Sequence, residues 1–475
     1  MTRTSARRAL WALPVAALLA YGALDVADVT PGLVTLAPPP APAPPPPLPT
    51  PTVRQPVATT GPGPLPTAGP ATAVPTTAGL RRALGPLLTE AGLGQLGVTV
   101  RDASTGAHLL DTRADVPLIP ASTVKLLAAA AVDTTFPAGA TLTTRAVRGA
   151  APGTVVLVAG GDTLLAPGRG TPGAVVGRAG LGDLAASTAS ALRASGRTSV
   201  RVSLDARYAA GPPTAPTWGS DYRPSGITGA VAAIGLSTQR ATPGRPGPAD
   251  PGASALAAFV TALRAAGVSA TADAAAGRAP TGAVTLGSVA SAPVADQLVL
   301  ALQDSDDALT ESLARQAAAR ARAGTGFAAV GAWVRQQVQR LGVDVAGVQL
   351  LDASGLSRSS RVPVRAIGDV LGLAAARTGP PSLRATIADL AVAGLDGTLS
   401  GRFDDATTAA ARGVVRAKTG TLTGVSGLAG TVTTPDGRVL VFALVANEVP
   451  ATTGTPGARR ALDGFVTVLA RCGCR

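Results

Sequence analysis

A chain of 475 residues can bury a large core and form more than one domain. Its net charge of +13 would suit an anionic partner, but no dense arginine run is interleaved with aromatics, which argues against nucleic acid. A single histidine and two cysteines supply no zinc-type ligand set. Of the 41 basic residues only Lys125 and Lys418 are lysines, Asn447 is the sole asparagine, and Glu90, Glu311 and Glu448 are the only glutamates. That bias matches a GC-rich coding background, so each surviving lysine calls for a chemical reason.

In chain order, Arg3, Arg7 and Arg8 precede an apolar run from Ala9 to Leu24, with Asp25 and Asp28 beyond it. The run is short for a spanning helix and long for the apolar core of a signal peptide. Residues 1–28 therefore read as a signal peptide or an N-terminal membrane anchor, and the remainder as extracytoplasmic, either tethered through residues 9–24 or secreted to the wall. Residues 29–78 form a Pro-rich linker that cannot bury a core. At about 3.1 Å per residue, roughly forty such residues reach on the order of 100 Å.

The folded body is expected from about Gly79. "GLRRALGPLLTEAGL" has helical spacing, and "LGVTVRDASTGAHLLDTRADVPLIP" reads as two strands around an "STG" turn. A helix is expected to start near Ser122. Short strands then alternate with helices up to about residue 295, interrupted by a Gly/Pro-rich loop at 211–226. Helices resume at "VADQLVLALQDSDDALTESLARQAAARARA", and a final strand pair with a "PDG" hairpin turn closes an α/β fold. At the C-terminus, a bridge between Cys472 and Cys474 would be strained across one intervening residue. The two cysteines either cap the tail or pair with another chain.

In "PASTVKLLAAAAV" Ser122 and Lys125 are three apart, which stacks their side chains one turn apart on a helix face. A lysine held in an apolar pocket gives up its proton more easily and can serve as a base toward a neighbouring hydroxyl. Arginine stays protonated and cannot. Lys418 opens "KTGTLTG" on a strand edge, where a compact ammonium beside a hydroxyl and a glycine suits recognition of a carboxylate. Between the lysines lies "SDD", Ser305 to Asp307, on or just before a helix.

Ser-x-x-Lys, then Ser-x-Asn, then Lys-Thr-Gly is the motif order of the penicillin-recognising acyl-serine transferases. With "GGDTLL" (160–165), "DASGLSRSSRVP" (352–363), "LDGTLSGRF" (395–403) and "LVFALVAN", the chain from about residue 80 onward resembles the D-alanyl-D-alanine carboxypeptidase/endopeptidase family of low-molecular-mass penicillin-binding proteins, peptidase family S13. The resemblance implies an antiparallel sheet flanked by helices, the fold shared with serine β-lactamases, with a domain inserted between the first and second motifs. The 183 residues from Ser122 to Ser305 leave room for it. The catalytic domain would comprise 79–140 and 295–475, and the inserted α/β region 141–294.

The roles implied by the resemblance follow the matching positions. Ser122 attacks the D-Ala-D-Ala carbonyl of a peptidoglycan stem peptide, Lys125 takes its proton, and Ser305 relays that proton to the leaving amine. Lys418 and Thr419 hold the terminal carboxylate beside Gly420, and the backbone N–H groups of Ser122 and Thr421 form the oxyanion hole. β-Lactams would acylate Ser122, and no metal or organic cofactor is needed. Asp307 departs from the pattern, because aspartate lacks the amide donor of asparagine and adds a charge beside the lysines. A penicillin-binding pseudoenzyme or wall-associated scaffold with impaired turnover is the alternative reading. A β-lactamase would need a deacylating glutamate in a Glu-x-x-Leu-Asn stretch, and none of the three glutamates is so placed. A Ser-His-Asp hydrolase would have to use His108, which reads as a strand-surface residue. Asp352, Ser354 and Asp396 read as structural hydrogen-bonding residues or as lining of the cleft.

Overall fold

The computed structural model describes residues 74–89, 91–376 and 379–474. The expected leader or anchor, its apolar run at 9–24, and the Pro-rich segment up to residue 73 lie outside the described residues. Helix α1 (Thr77–Leu88) starts two residues before the expected body, because the Thr76 side chain caps it by accepting from the Gly79 amide at 3.0 Å. Strands β1 (Gln95–Asp102) and β2 (His108–Thr112) pair antiparallel around the expected turn. There the Asp102 carboxylate accepts from the amides of Ser104 and Thr105 at 3.0 and 2.8 Å. His108 is exposed at the start of β2 and pairs with Asp111 at 2.7 Å, as a strand-surface histidine should.

After the short β3 (Pro117–Leu118), the chain enters a 3₁₀ turn (Ala121–Val124) and α2 (Lys125–Asp133). Then follow β4 (Thr141–Arg148), β5 (Thr154–Val158), α3 (Leu181–Ala194), β6 (Ser199–Asp205), α4 (Pro251–Ala265), β7 (Ser269–Ala276) and β8 (Thr285–Pro293). These strands make one sheet in the order β7-β6-β5-β4-β8, parallel across β5, β6 and β7 and antiparallel on both sides of β4. Parallel neighbours need crossover connections, and α3 and α4 supply them. Leu157, Leu184, Phe259 and Leu263 give this sheet its own core.

The chain continues through α5 (Val294–Gln303), α6 (Asp307–Arg320), α7 (Phe327–Arg340), β9 (Val362–Pro363), α8 (Val364–Ala375) and α9 (Pro381–Ala388). It ends with β10 (Val415–Leu422), β11 (Val425–Thr433), β12 (Val439–Asn447) and α10 (Gly454–Arg471). Where the sequence suggested a strand pair there are three strands, because Gly424, with φ of +72°, turns the apolar run back on itself between β10 and β11. The resulting antiparallel sheet has the order β10-β11-β12-β1-β2, so the first and last long strands of the fold are hydrogen-bonded neighbours.

Both faces of this sheet are covered. One carries α2 and α5 to α8, and the other carries α1 and α10. Every residue of α2 is buried, and its run of alanines leaves room for α6, α7 and α8 around it. Cys472 and Cys474 form a disulfide within the tail, and the Cys474 carbonyl accepts from the Thr76 amide at 2.9 Å. The two ends of the described fold are thereby tied together. Among the described residues, no helix is long and apolar enough to cross a membrane.

Candidate active site

Ala121 adopts a left-handed conformation, with φ of 46°, so the α-helical backbone cannot extend back through it. Ser122 therefore stands on the 3₁₀ turn that leads into α2, and the α-helix proper begins at Lys125 rather than near Ser122. The three-residue spacing still brings the side chains together: Lys125 Nζ donates to Ser122 Oγ at 2.8 Å. Ser122 is half-buried and Lys125 is fully buried. The ammonium also donates to the Ser354 carbonyl at 2.7 Å and to Asp307 Oδ1. The "DASGL" loop presses against the turn from behind, where Gly355 (φ +87°) would place a Cβ only 2.0 Å from the Ala121 carbonyl oxygen. A larger residue there would displace the backbone that carries Ser122.

Ser305 lies in the turn between α5 and α6 and is also left-handed, with φ of 56°. Asp306 caps α6 by accepting from the Leu309 amide at 2.9 Å. Arg240, from the loop ahead of α4, donates to Asp304 at 2.9 Å and to Asp306 at 3.0 Å, gripping both neighbours of the strained serine. On the edge strand β10, Lys418 Nζ donates to Ser305 Oγ at 2.8 Å and to the Thr419 carbonyl at 2.9 Å. Lys418 has no exposed surface, and burial, with Lys125 adding like charge, holds its pKa well below the usual lysine value. Gly420 packs against the Ser122 turn, its Cβ position lying 3.0 Å from the Pro120 carbonyl oxygen. Thr419 bonds Thr398 at 3.0 Å, and Thr421 Oγ1 accepts from Arg459 at 3.2 Å. A cleft of about 610 Å³ opens over this corner, lined by Ile227, Thr228, Arg240, Ser305, Asp307 and Thr398.

The family model for D-Ala-D-Ala carboxypeptidase 3 (S13) matches residues 81–248 and 227–469. The chain belongs to the S13 family. It is 37% identical over 429 residues to carboxypeptidase DacB of Mycolicibacterium smegmatis, covering 88% of this chain and 89% of that one. It is 36% identical over 406 residues to carboxypeptidase Rv3627c of Mycobacterium tuberculosis, covering 85% and 86%. Penicillin binding protein 4 (dacB) of Haemophilus influenzae shares the fold, with a TM-score of 0.65 at 19% identity over 83% of this chain and 99% of that one.

Behind the Ser122–Lys125 pair this S13 chain buries three carboxyl groups: Asp307 and Asp352, both marked out by the sequence, and Glu311, which no motif pointed to. Burial raises the pKa of Asp307 while the Lys125 ammonium opposes the shift. Glu311, one helical turn further along α6, accepts from the amides of Ala353 and Ser354 at 2.8 and 2.7 Å. Burial, with the nearby charge of Asp352, pushes the Glu311 pKa up to about 8. Asp352 accepts from Trp218 Nε1 and the Ser357 amide, each at 2.7 Å, and from the Gly355 amide at 3.1 Å. Asp352 and Glu311 thus fold the loop that offers the Ser354 carbonyl to Lys125. Asp396 has a comparable turn-forming bond, accepting from the Val392 amide at 2.6 Å. In "GGDTLL", Asp162 accepts from the Leu164 amide at 2.8 Å, and burial raises its pKa to about 6.

Proposed function

We propose that this protein is a serine D-Ala-D-Ala carboxypeptidase that trims peptidoglycan stem peptides outside the cytoplasm and is acylated by β-lactams at Ser122. The observation that carries the reading is the convergence of the chain's two lysines on two serines: Lys125 on Ser122 at 2.8 Å, and Lys418 on Ser305 at 2.8 Å. In its amine form Lys125 accepts the Ser122 hydroxyl proton as Oγ bonds to the substrate carbonyl carbon. Backbone N–H groups of Ser122 and Thr421 face the developing oxyanion, a role favoured by the close packing of Gly420 on the Pro120–Thr123 turn. The C–N bond then breaks, and the proton passes through Ser305 Oγ to the departing D-alanine amine. Water cleaves the resulting ester and regenerates Ser122. Lys418, buried behind Ser305 and Thr419, orients the relay hydroxyl and supplies positive potential to the carboxylate pocket formed by Thr419, Gly420 and Thr421. Residues 79–140 and 295–475 form the catalytic body in this reading, and 141–294 the inserted region.

Mass spectrometry of the protein treated with penicillin should show one covalent adduct on Ser122. A peptide ending in D-Ala-D-Ala should release D-alanine, and Ser122→Ala should lose both signals. An unlabelled Ser122 would sink the proposal, and labelling without D-alanine release would leave only a penicillin-binding function.

A further inference from the structure

The proposed carboxylate pocket poses an electrostatic problem. Lys418 is fully buried, and its ammonium donates to Ser305 Oγ and the Thr419 carbonyl, so it does not face the opening directly. The side chains that do remain there, Thr419 and Thr421, are neutral. Another cation reaches this place from α10, at the far end of the sequence: Arg459 donates to Thr421 Oγ1 at 3.2 Å.

The packing around Arg459 gives it no direct carboxylate contact. Its natural helix partner one turn along is Asp463, but both carboxylate oxygens of Asp463 are taken by Arg402, through Nε at 3.1 Å and Nη2 at 2.5 Å. Arg402 also donates to the Arg459 carbonyl at 3.4 Å, which fixes the two arginines side by side. Among the described residues Arg459 makes no ion pair, although it is exposed and has an acidic residue four positions away. A guanidinium held against a substrate-pocket hydroxyl, with its nearest carboxylate already bonded at both oxygens by Arg402, is matched to an incoming anion.

We infer that Arg459 is a specificity-determining residue that binds the free α-carboxylate of the substrate's terminal D-alanine, together with Thr419 and Thr421. The inference rests on the carboxypeptidase reading above and adds a residue outside its three motifs. It makes a C-terminal helix part of substrate selection and requires the scissile D-Ala to end in a charged carboxylate rather than a neutral group.

The test compares two acylated peptides, one ending in D-Ala-D-Ala and the other in D-Ala-D-alaninamide, as the ratio of their kcat/KM values. The unaltered protein should prefer the free acid, Arg459→Gln should reduce that preference roughly 10-fold, and Arg459→Lys should restore part of it. Raising the salt concentration should erode the preference in the unaltered protein and leave Arg459→Gln nearly insensitive. Thermal denaturation and the Ser122–penicillin adduct report whether each variant is folded. Equal losses on both peptides, or an unchanged ratio, in a variant that still forms the adduct would overturn the role of Arg459 alone. Failure of the unaltered protein to form the adduct or to release D-alanine would instead overturn the underlying reading.

Discussion

With Oδ1 on the Lys125 ammonium, Asp307 places a negative charge one hydrogen bond from the proposed base of the acylation step. The buried ion pair competes with Ser122 Oγ for Lys125 Nζ, the atom proposed to take the serine proton. Asparagine would keep a hydrogen-bonding oxygen in the same place, remove the charge, and add an amide donor. Asp307→Asn should therefore raise the second-order rate of penicillin acylation near neutral pH by roughly 10-fold or more, because it removes the buried charge that ties up the proposed base. Stopped-time labelling across a pH series measures it. An unchanged or slower rate would mean that the carboxylate assists this site, and that the exchange of Asn for Asp is adapted rather than tolerated.

The turn between α5 and α6 shows how elements far apart in sequence build the site. Ser305 holds a left-handed conformation that costs a non-glycine residue about 1–2 kcal/mol, and the turn is held by the N-cap bond of Asp306 and by Arg240 bridging Asp304 and Asp306. Arg240→Gln should slow acylation roughly 10-fold with little change in KM, because displacement of the relay hydroxyl affects the reacting geometry more than ground-state binding. An unaltered acylation rate would reduce the two ion pairs to surface contacts. The contrast between Lys125 and Arg240 also marks what the sequence makes legible. A Ser-x-x-Lys spacing acts within one helical turn, so the contact survives even though Ser122 proves to lie on a 3₁₀ turn. The pairing of β10 with the Ser305 turn needed the motif order, because periodicity is silent about long-range neighbours. Arg240 lies in a Gly/Pro-rich loop with no local pattern, and Arg459 looks like any exposed helix arginine until Arg402 is seen to occupy Asp463. Glu311 carried one usable signal: it is a rare glutamate one turn after Asp307 on a helix.

At the scale of the whole molecule, the buried carboxyl groups set how stability depends on pH. Glu311 has its pKa raised from 4.5 to about 8 by burial and by Asp352, and Asp133 and Asp162 are raised by burial from 3.8 to about 6. Each of these acids binds its proton more tightly in the folded state than in the unfolded chain. Their contribution to stability is complete below the unfolded pKa and is lost as pH rises through the folded one. Lys418 has the opposite sign: its lowered pKa makes folding less favourable wherever the unfolded chain would protonate it, and that cost shrinks toward the ordinary lysine pKa. A single curve of melting temperature against pH mixes these terms, but the difference between the unaltered protein and Glu311→Gln cancels all but one. Glutamine retains an oxygen for the Ala353 and Ser354 amides and cannot ionise. The two proteins should melt at nearly the same temperature at about pH 5, where Glu311 is protonated in the fold, and the variant should melt higher by roughly 2 °C or more at about pH 9. A constant offset at every pH would place the Glu311 proton outside this window and assign the residue a purely packing role. A difference that grows between about pH 4.5 and 8 and levels off above would show that the loop carrying Ser354 to Lys125 is held by a protonated acid at neutral pH.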